Sequence, residues 1–482
     1  MINFRIIARV FSLLLIFEGL FMLVSAGVSQ IYHENAAASF FYSALITLVT
    51  GVAVFTPLRN EERLYGNKEG YIIVTGTWIV FSLFGTLPFL LSGSIDTFSN
   101  AFFESISGFT TTGATIITDI ESLPHGILFW RSLTQWLGGI GIIFISLSVF
   151  PVVKSIHIQI AATEFTGQQT DKIHPRIKDA AKRLVVIYII ITLIESILLI
   201  IGGMPVFDSI CHSFSTLSTG GFSTRNDGMA AFATPYIMGI TTLFMLIAGT
   251  NMTLVYFGLK GKFSKVTGNN EFAFYILLCA GFILIGSIVL YLNKSYSFGY
   301  SFLNGAFHVI SIITTTGFYT QDYNLWSNFM ILILFILMFT GGTAGSTSGS
   351  IKIVRLLLIT KNNRQEFKRL IHPNAFIPVC LDKHIISQNT IYNLLVFITL
   401  YFLIMCFGTF IIAFMGYDVE TSFSTSVSML GNIGPGIGSF GPFTNYSSIP
   451  VTGKWFLSGL MLLGRLELLT VILLFSRSFY RN

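Results

Sequence analysis

Long apolar runs occur ten times along the sequence, nine of them with about twenty residues. A helix of roughly 20 apolar residues crosses the ~30 Å hydrocarbon core of a bilayer. The runs lie at 10–28, 38–57, 72–91, 127–150, 184–203, 232–257, 272–292, 327–340, 391–415 and 454–475. The 482 residues are 53% hydrophobic and only 10% charged, which is far more apolar surface than a water-soluble core needs. The sequence therefore predicts an all-α integral membrane protein embedded in the lipid bilayer.

Basic residues are concentrated between alternate runs. Of the 28 Lys and Arg residues, 23 lie in the segments 1–9, 59–68, 154–183, 260–265, 352–383 and 477–481. Short cytoplasmic loops retain Lys and Arg, so we expect a multi-pass protein with both termini in the cytoplasm. The net charge of +6 then indicates topology. We expect no nucleic-acid partner, because no basic segment forms a folded domain.

A motif that ends in glycine occurs four times at intervals of about 100 residues. It reads SGFTTTGAT at 107–115, FSTLSTGGFS at 214–223, SIITTTGFYT at 311–320 and VSMLGNIGPG at 427–436. In each copy a serine lies six residues before the aligned glycine, and apolar residues lie seven and four residues before it. Residues three apart share a helix face. Each copy therefore predicts a short helix followed by a polar turn.

Each motif lies between two apolar runs, so the chain contains four units of span, short helix, turn and span. The predicted parts are a two-helix N-terminal extension at 1–58 and pore repeats at 70–150, 180–258, 270–360 and 390–482. The short helices cannot cross the membrane and return, so we expect them to be re-entrant. Irregular backbone at membrane depth is tolerated only where protein buries it or where it lines a cavity. We therefore expect four M1-P-M2 pore-loop repeats around one pseudo-fourfold central pore, rather than four outer loops that merely join hairpins.

The composition of the four turns favours a monovalent cation. Backbone carbonyl oxygens can replace the hydration water of a large cation, whereas small divalent ions prefer carboxylates. No Asp or Glu occurs in the turns. Glu104 lies nine residues before Gly113, where His212, His308 and Thr425 lie in the other copies. Glu104 either adds negative potential near the pore or is a hydrogen-bonded helix residue.

These loops, TTTGAT, STGGFS, TTTGFYT and GNIGPGIG, resemble those of the potassium-translocating subunits of the Trk/Ktr/HKT superfamily. The two additional N-terminal spans and GTNMTLVYF at 249–257 are closer to its bacterial TrkH branch. The resemblance covers essentially the whole chain. It implies potassium uptake across the bacterial inner membrane, with K⁺ as the transported ion and no organic cofactor. It also implies a homodimer and a cytoplasmic RCK-type, TrkA-like nucleotide-binding regulatory subunit.

By position, the resemblance implies a selectivity filter with the glycines Gly113, Gly221, Gly317 and Gly434. The residues before them would offer backbone carbonyls to K⁺, namely Thr110, Thr111, Thr112, Ser218, Thr219, Gly220, Thr314, Thr315, Thr316, Gly431, Asn432 and Ile433. Relatives with serine at the first glycine transport sodium prominently, so glycine at this position implies a preference for potassium. The divergent fourth loop implies weaker selectivity than in a fourfold-symmetric channel.

The segment FTGGTAGSTSGSIKIV at 339–354 predicts a break within the second span of repeat three. Its central ten residues, 341–350, include four glycines and no large side chain. Each glycine costs a helix about 1 kcal/mol relative to alanine. The resemblance implies that this intramembrane loop is a gate, formed by Gly341, Gly342, Thr343, Ala344, Gly345, Ser346, Thr347, Ser348 and Gly349. A phosphate-binding loop fits this segment less well, because the order GxxxxGK[ST] and a preceding strand are missing.

Arg465 lies near the middle of the last apolar run, in LLGRLELL. An intramembrane arginine costs about 2.5–3.5 kcal/mol and usually faces a cavity. Glu467, two residues away, points in a different direction on a helix. We expect Arg465 to project into the path below the filter, opposing cations and contacting the 341–350 loop. A structural ion pair with a neighbouring helix is the alternative.

Other function classes fit the sequence less well. The eight His are dispersed without HxxxH or HExxH spacing, so we expect no enzyme. A substrate-carrying secondary transporter would favour inverted repeats with matching broken helices, whereas these repeats run parallel and predict only one broken span. A K⁺ symporter driven by H⁺ or Na⁺ and a poorly selective K⁺/Na⁺ channel stay open. The basic stretches 172–183 and 361–369 bind the regulatory ring or anionic lipid, or are ordinary positive-inside residues.

Overall fold

The computed structural model describes residues 2–60, 66–148, 173–294, 297–375, 377–382 and 384–480. Within these residues the chain is mostly helical, as the sequence predicts. The strands form one antiparallel hairpin, in which Cys380–Leu381 pairs with His384–Ile385.

The N-terminal extension is a pair of long helices, Phe4–Ile31 and Ala36–Leu58. Glu34, in their connection, accepts hydrogen bonds from the backbone N–H groups of His125 at 2.6 Å and Gly126 at 3.1 Å. Burial opposes ionisation of Glu34, yet these hydrogen bonds outweigh it and lower the pKa of the carboxyl below its ordinary value. A carboxylate at the first N–H groups of a helix is favoured by the helix dipole as well. The extension is therefore fastened to the second long helix of repeat one.

Each of the four repeats contains a first span, a short helix and a second span; the first span of repeat one and the second spans of repeats two, three and four each consist of two helices. Repeat one has Asn67–Phe84, Leu87–Leu91, Phe98–Phe109 and His125–Ser148. Repeat two has Ile173–Ile201, Val206–Leu217, Pro235–Ala248 and Met252–Leu259. Repeat three has Asn270–Lys294, Phe298–Ile313, Asn328–Met338 and Ile353–Ile371. Repeat four has Gln388–Phe414, Val419–Gly431, Val451–Arg465 and Leu469–Leu474.

Short additional helices join or follow these elements. The α-helical ones are Phe263–Thr267 and Arg477–Tyr480, and the 3₁₀ turns are Gly228–Phe232, Tyr323–Leu325 and Gly438–Phe440.

By length and composition, six described helices can cross a membrane, or seven if one bent pair counts as a span. The six are Phe4–Ile31, Ala36–Leu58, Lys68–Leu91, Ala181–Ile201, Asn270–Asn293 and Gln388–Phe414. The other four predicted runs coincide with His125–Ser148 and with three interrupted second helices.

The prediction of only one broken span is wrong. In repeat two, Pro235–Ala248 and Met252–Leu259 meet at 113°. In repeat four, the helix that ends at Arg465 and the one that begins at Leu469 are separated by residues with positive φ, 57° at Glu467 and 26° at Leu468. The second helices of repeats two, three and four are thus all interrupted, so the number of broken spans does not argue against a secondary transporter.

The short helices form the inner layer of the molecule. Every residue from Ala101 to Phe109 is buried, whereas only 28% of the apolar window of Gln388–Phe414 is buried. Large apolar side chains cover the outside of the long helices, where a bilayer would meet them; examples are Phe41, Ile197, Leu277, Leu403 and Phe410. The polar turns after the short helices therefore lie in the centre, surrounded by protein.

Candidate functional site

Each short helix ends in a turn with two left-handed residues, two positions apart. The first has φ between 53° and 58° and is Thr111, Thr219, Thr315 or Asn432. The second has φ between 76° and 100° and is Gly113, Gly221, Gly317 or Gly434. Threonine in this region stores strain of about 1–3 kcal/mol, which folded proteins tolerate mainly at functional sites. The four motifs thus share one backbone conformation as well as one sequence pattern.

The aligned serines fix this conformation through the main chain. Each serine carbonyl accepts the N–H of the residue directly before the glycine, at 2.8–3.0 Å. The four bonds run from Thr112 to Ser107, from Gly220 to Ser215, from Thr316 to Ser311 and from Ile433 to Ser428. The serine that the sequence motif aligns therefore fixes the turn through its backbone carbonyl. Its hydroxyl makes no contact that is common to the four repeats.

The glycines show that the four turns close into a ring. A Cβ on Gly113 would overlap the carbonyl oxygen of Gly220, and a Cβ on Gly221 would overlap that of Thr316. A Cβ on Gly317 would overlap the carbonyl oxygen of Ile433.

The last contact completes the circle. A Cβ on Gly434 would lie 2.6 Å from the carbonyl oxygen of Thr112, which returns to repeat one. Glycine is therefore required four times for space as well as for its positive φ. We call the carbonyls of Thr112, Gly220, Thr316 and Ile433, with the four glycines, the carbonyl ring.

The other predicted filter residues lie just below the ring. Thr110, Ser218 and Thr314 cap the first three short helices, and Gly431 ends the fourth. The hydroxyls of Thr110 and Thr112 are 2.8 Å apart, as are those of Thr314 and Thr316.

The divergent fourth turn keeps the same backbone by using asparagine. Asn432 has φ 54°, a value that asparagine tolerates better than most residues. Its side-chain amide donates to the hydroxyl of Thr112 at 2.9 Å and to the carbonyl of Met461 at 2.8 Å. Repeat four is thereby joined to repeat one next to the ring.

Gln135 is a ring contact that sequence reasoning missed. It is fully buried in the second long helix of repeat one, and its amide donates to the carbonyl of Gly220 at 2.6 Å. Its side-chain oxygen accepts the N–H of Phe222 at 3.1 Å. The sequence feature that could have indicated this contact is a glutamine within an apolar run, in RSLTQWLGG.

A cavity opens from the outer side of the ring. It is lined by all four ring glycines and by residues that follow them, including Ala114, Phe222, Phe318 and Pro435. The ring is thus accessible from this cavity.

The predicted break at 341–350 is a loop that lies against the short-helix ends. The N–H of Gly349 donates to the hydroxyl of Thr315 at 2.7 Å. The hydroxyl of Thr347 lies 3.0 Å from the carbonyl of Leu217, at the end of the second short helix, and 3.2 Å from that of Ala248. The loop therefore contacts repeats two and three directly below the ring.

The loop also packs into the bend of repeat two. The N–H of Thr343 donates to the carbonyl of Gly249 at 2.9 Å, and the N–H of Met252 donates to that of Gly345 at 3.4 Å. Its ends lie side by side, since the N–H of Gly341 donates to the carbonyl of Ile351 at 2.8 Å. The two interrupted helices complete each other's backbone hydrogen bonds, as broken helices in a membrane must.

The remaining loop residues hold the loop to itself and to repeat three. The N–H of Gly342 donates to the hydroxyl of Ser348 at 2.8 Å, and the hydroxyls of Ser346 and Ser348 are 2.8 Å apart. The N–H of Ala344 donates to the Glu271 carboxylate at 2.6 Å. The ammonium of Lys352 donates to Ser348.

Arg465 is buried and joins the loop to repeat one. Its guanidinium donates to the carbonyl of Thr347 at 2.6 Å and to that of Gly138 at 3.0 Å. Glu467 pairs instead with Arg355 at 2.8 Å. Among the described contacts Arg465 has no carboxylate partner, which speaks against the structural ion pair.

Three comparisons place this geometry among known proteins. A family model named TrkH and described as a cation transport protein matches residues 36–480. The chain is 37% identical over 484 residues to the Trk system potassium uptake protein TrkH of Salmonella typhimurium, with 100% of both chains covered. It is 31% identical to the Trk system potassium uptake protein TrkG of Escherichia coli, with 99% of both covered.

The fold has a solved counterpart as well. The crystal structure of the potassium transporter TrkH from Vibrio parahaemolyticus is similar at a TM-score of 0.91 and 33% identity, with 100% of both chains covered.

Proposed function

The chain belongs to the TrkH family of cation transport proteins, and from this premise we propose that it takes up K⁺ through the carbonyl ring. The observation that carries the proposal is the closed ring itself, in which each glycine faces a carbonyl of the next repeat. Backbone carbonyl dipoles can replace the water around a dehydrated cation. The family consists of multi-pass transport proteins rather than enzymes.

The ring's chemistry supports potassium as the cargo. Its oxygens are neutral, and the turns contain no Asp or Glu. Small divalent cations would require carboxylate ligands to offset their dehydration. The relatives at 37% and 36% identity are named potassium uptake proteins. We assign the contacts with K⁺ to the carbonyls of the predicted filter residues in the four turns.

The 341–350 loop and Arg465 act as the gate in this proposal. The loop lies below the ring, and the buried guanidinium places a positive charge beside it. A like charge in a low-dielectric path opposes a cation strongly. Opening requires that the loop release Thr315, Leu217 and Gly249, so the closed state is held by several specific hydrogen bonds.

A cytoplasmic RCK-type nucleotide-binding subunit would move the loop, and two copies of the chain would form a homodimer in the bacterial inner membrane, with cytoplasmic termini. The helix Ile353–Ile371 begins directly after the loop and carries the basic stretch 361–369. A force on this helix is therefore transmitted to the loop. In the other basic stretch, 172–183, the side chains of 172–180 lie outside the described residues.

Growth of a potassium-uptake-deficient bacterium tests the proposed function. With this chain expressed, and with the host's own nucleotide-binding uptake subunit present, growth should be restored at low external K⁺. Added Na⁺ should not substitute for K⁺. Protein that reaches the membrane without restoring growth, and that passes no K⁺ after reconstitution with that subunit, would refute the proposal.

Replacing Thr347 by valine should loosen the gate. Valine keeps the shape of threonine but removes the hydroxyl that reaches the carbonyls of Leu217 and Ala248. A net hydrogen-bond contribution of about 1 kcal/mol corresponds to a roughly fivefold shift toward the open state. We therefore expect about fivefold higher basal K⁺ flux into liposomes without a regulatory partner.

Thr360→Val is the matched control for this change. The Thr360 hydroxyl is exposed, and its hydrogen bond among the described residues is to the carbonyl of Leu356, within its own helix. K⁺ flux through Thr360→Val should equal that through the unmodified chain. If Thr347→Val, Thr360→Val and the unmodified chain all give the same K⁺ flux, the loop is not part of the gate.

A further inference from the structure

A second layer of polar contacts lies behind the carbonyl ring. In every repeat, one side chain of the short helix binds the chain two or three residues beyond the ring glycine. The four side chains are Glu104, His212, His308 and Ser424, and we call them the buttress residues. Three of them come from aligned helix positions and the fourth from the position before the aligned one, and together they have three different chemistries.

In repeat one the buttress is a carboxylate. Glu104 accepts the N–H of Ile116 and the hydroxyl of Thr115, both at 3.0 Å. It also forms a buried ion pair with Arg131 at 2.8 Å. Arg131 also donates a hydrogen bond to the carbonyl of Ser223 in repeat two at 3.0 Å. Of the two interpretations of Glu104 that the sequence left open, the structure supports the hydrogen-bonded residue.

In repeats two and three the buttress is a histidine. Nδ1 of His212 lies 2.7 Å from the carbonyl of Asp208, and Nδ1 of His308 lies 2.9 Å from that of Asn304. A carbonyl only accepts, so Nδ1 carries a proton in both rings, and in a neutral ring Nε2 is then the acceptor. Nε2 then binds the hydroxyl of Ser223 at 3.0 Å in one repeat.

In repeat three, Nε2 of His308 accepts the N–H of Thr320 at 3.4 Å. Because an N–H only donates, Nε2 must be unprotonated, and the ring that holds this turn is a neutral imidazole.

In repeat four the buttress is a serine, one position earlier than sequence alignment suggests. The hydroxyl of Ser424 accepts the N–H of Ile437 and lies at the same distance, 3.0 Å, from the carbonyl of that residue. Thr425 occupies the aligned position, and its buried hydroxyl has no hydrogen-bond partner among the described atoms. The fourth short helix and its turn are thus shifted by one residue in this contact.

We propose that the four buttress residues are positioning residues that set the discrimination between K⁺ and Na⁺, an inference that rests on the carbonyl ring being the filter. They hold the outer end of each turn, so the ring oxygens cannot move inward around a smaller ion. A ring that adapts its radius would coordinate Na⁺ as well as K⁺, whereas a restrained one favours the larger ion. The buttress residues do not touch the ion.

His308→Leu is the sharpest single test. Leucine fills the space of the imidazole but cannot accept the N–H of Thr320. We expect the K⁺/Na⁺ flux ratio in liposomes to fall about fivefold while the total cation flux is retained. His308→Gln supplies a carbonyl oxygen at a similar reach and should restore the ratio. If His308 had only a structural role, His308→Leu would lower the amount of folded protein, and the K⁺/Na⁺ flux ratio of the protein that does fold would be unchanged.

Ser424→Ala and Thr425→Val form a matched pair in repeat four. The first removes the hydroxyl that binds Ile437, and the second removes a neighbouring hydroxyl that binds nothing described. We expect a lower flux ratio only for Ser424→Ala. Thermal unfolding in detergent verifies that each variant is folded.

A ring variant separates failure of the inference from failure of the proposed function. If Gly113→Ser changes the flux ratio while His308→Leu and Ser424→Ala leave it unchanged, the buttress inference is wrong and the filter stands. If none of the three changes the ratio, both are wrong.

Discussion

Replacing Gly113 by serine should lower the K⁺/Na⁺ flux ratio by about tenfold or more, the largest loss of selectivity that we expect from a single ring substitution. Gly113 has φ 81°, and a Cβ there would overlap the carbonyl oxygen of Gly220. The carbonyl must move to accommodate serine, and about 1.4 kcal/mol of lost discrimination gives a tenfold change. The measurement is K⁺ and Na⁺ flux into liposomes that contain the purified variant.

Gly93→Ser is the control that separates crowding from backbone strain. Gly93 also has positive φ, 70°, but a Cβ there would meet no atom within 4 Å. Its variant carries similar strain in an outer loop without touching the ring, so its flux ratio should equal that of the unmodified chain. An unchanged ratio in Gly113→Ser, or an equal fall in both variants, would remove the filter assignment.

The ring glycines were predictable from sequence because glycine marks a turn with positive φ, which is a local property of the backbone. A turn that needs positive φ and no Cβ has one residue that satisfies both, so glycine marks each copy. The positive φ of Thr111, Thr219 and Thr315 was not predictable, because threonine avoids this region unless tertiary contacts impose it. The serine carbonyl bonds and the neighbouring repeat impose it here.

Among the broken helices, too, one break was predictable from sequence and another was not. Four glycines within 341–350 weaken a helix by themselves, so that break was predicted. The break after Arg465 contains no glycine or proline. There, tertiary structure determines the geometry: Glu467 reaches Arg355 at 2.8 Å while Arg465 reaches the loop.

Contacts between repeats were the part that sequence could not supply. Gln135 binds Gly220, which is 85 residues away, and Arg131 binds Ser223 at a separation of 92. Periodicity reports which face of a helix is apolar, but it does not reveal which buried polar partner lies across an interface. A single buried polar residue in an apolar run, such as Gln135, is still a usable hint.

Replacing Arg465 by glutamine should increase basal K⁺ flux by up to about a hundredfold. At roughly 6 Å and an effective dielectric constant of about 20, two unit charges repel by about 3 kcal/mol, which corresponds to roughly a hundredfold in rate. Glutamine removes the charge, and its side chain is too short to span the distance that the guanidinium spans to the carbonyl of Thr347. The measurement is K⁺ flux into liposomes without the regulatory subunit.

Arg465→Lys distinguishes the charge from the contacts. Lysine keeps the positive charge but cannot reproduce the guanidinium fork to Thr347 and Gly138. If charge is the barrier, flux through this variant stays low. Equal increases in both variants would instead assign the closure to the hydrogen bonds, and folded protein with unchanged flux in both would leave Arg465 a purely structural role.

Combining Arg465→Gln with Thr347→Val tests whether the arginine and the loop close the path as one unit. Arg465 donates to the carbonyl of Thr347, while the hydroxyl of the same threonine reaches Leu217 and Ala248. Independent barriers would multiply their effects on flux, whereas residues in one network deviate from additivity by about 0.5–3 kcal/mol. We expect the double variant to exceed Arg465→Gln only slightly, because a loop that has lost its link to the arginine is already partly released.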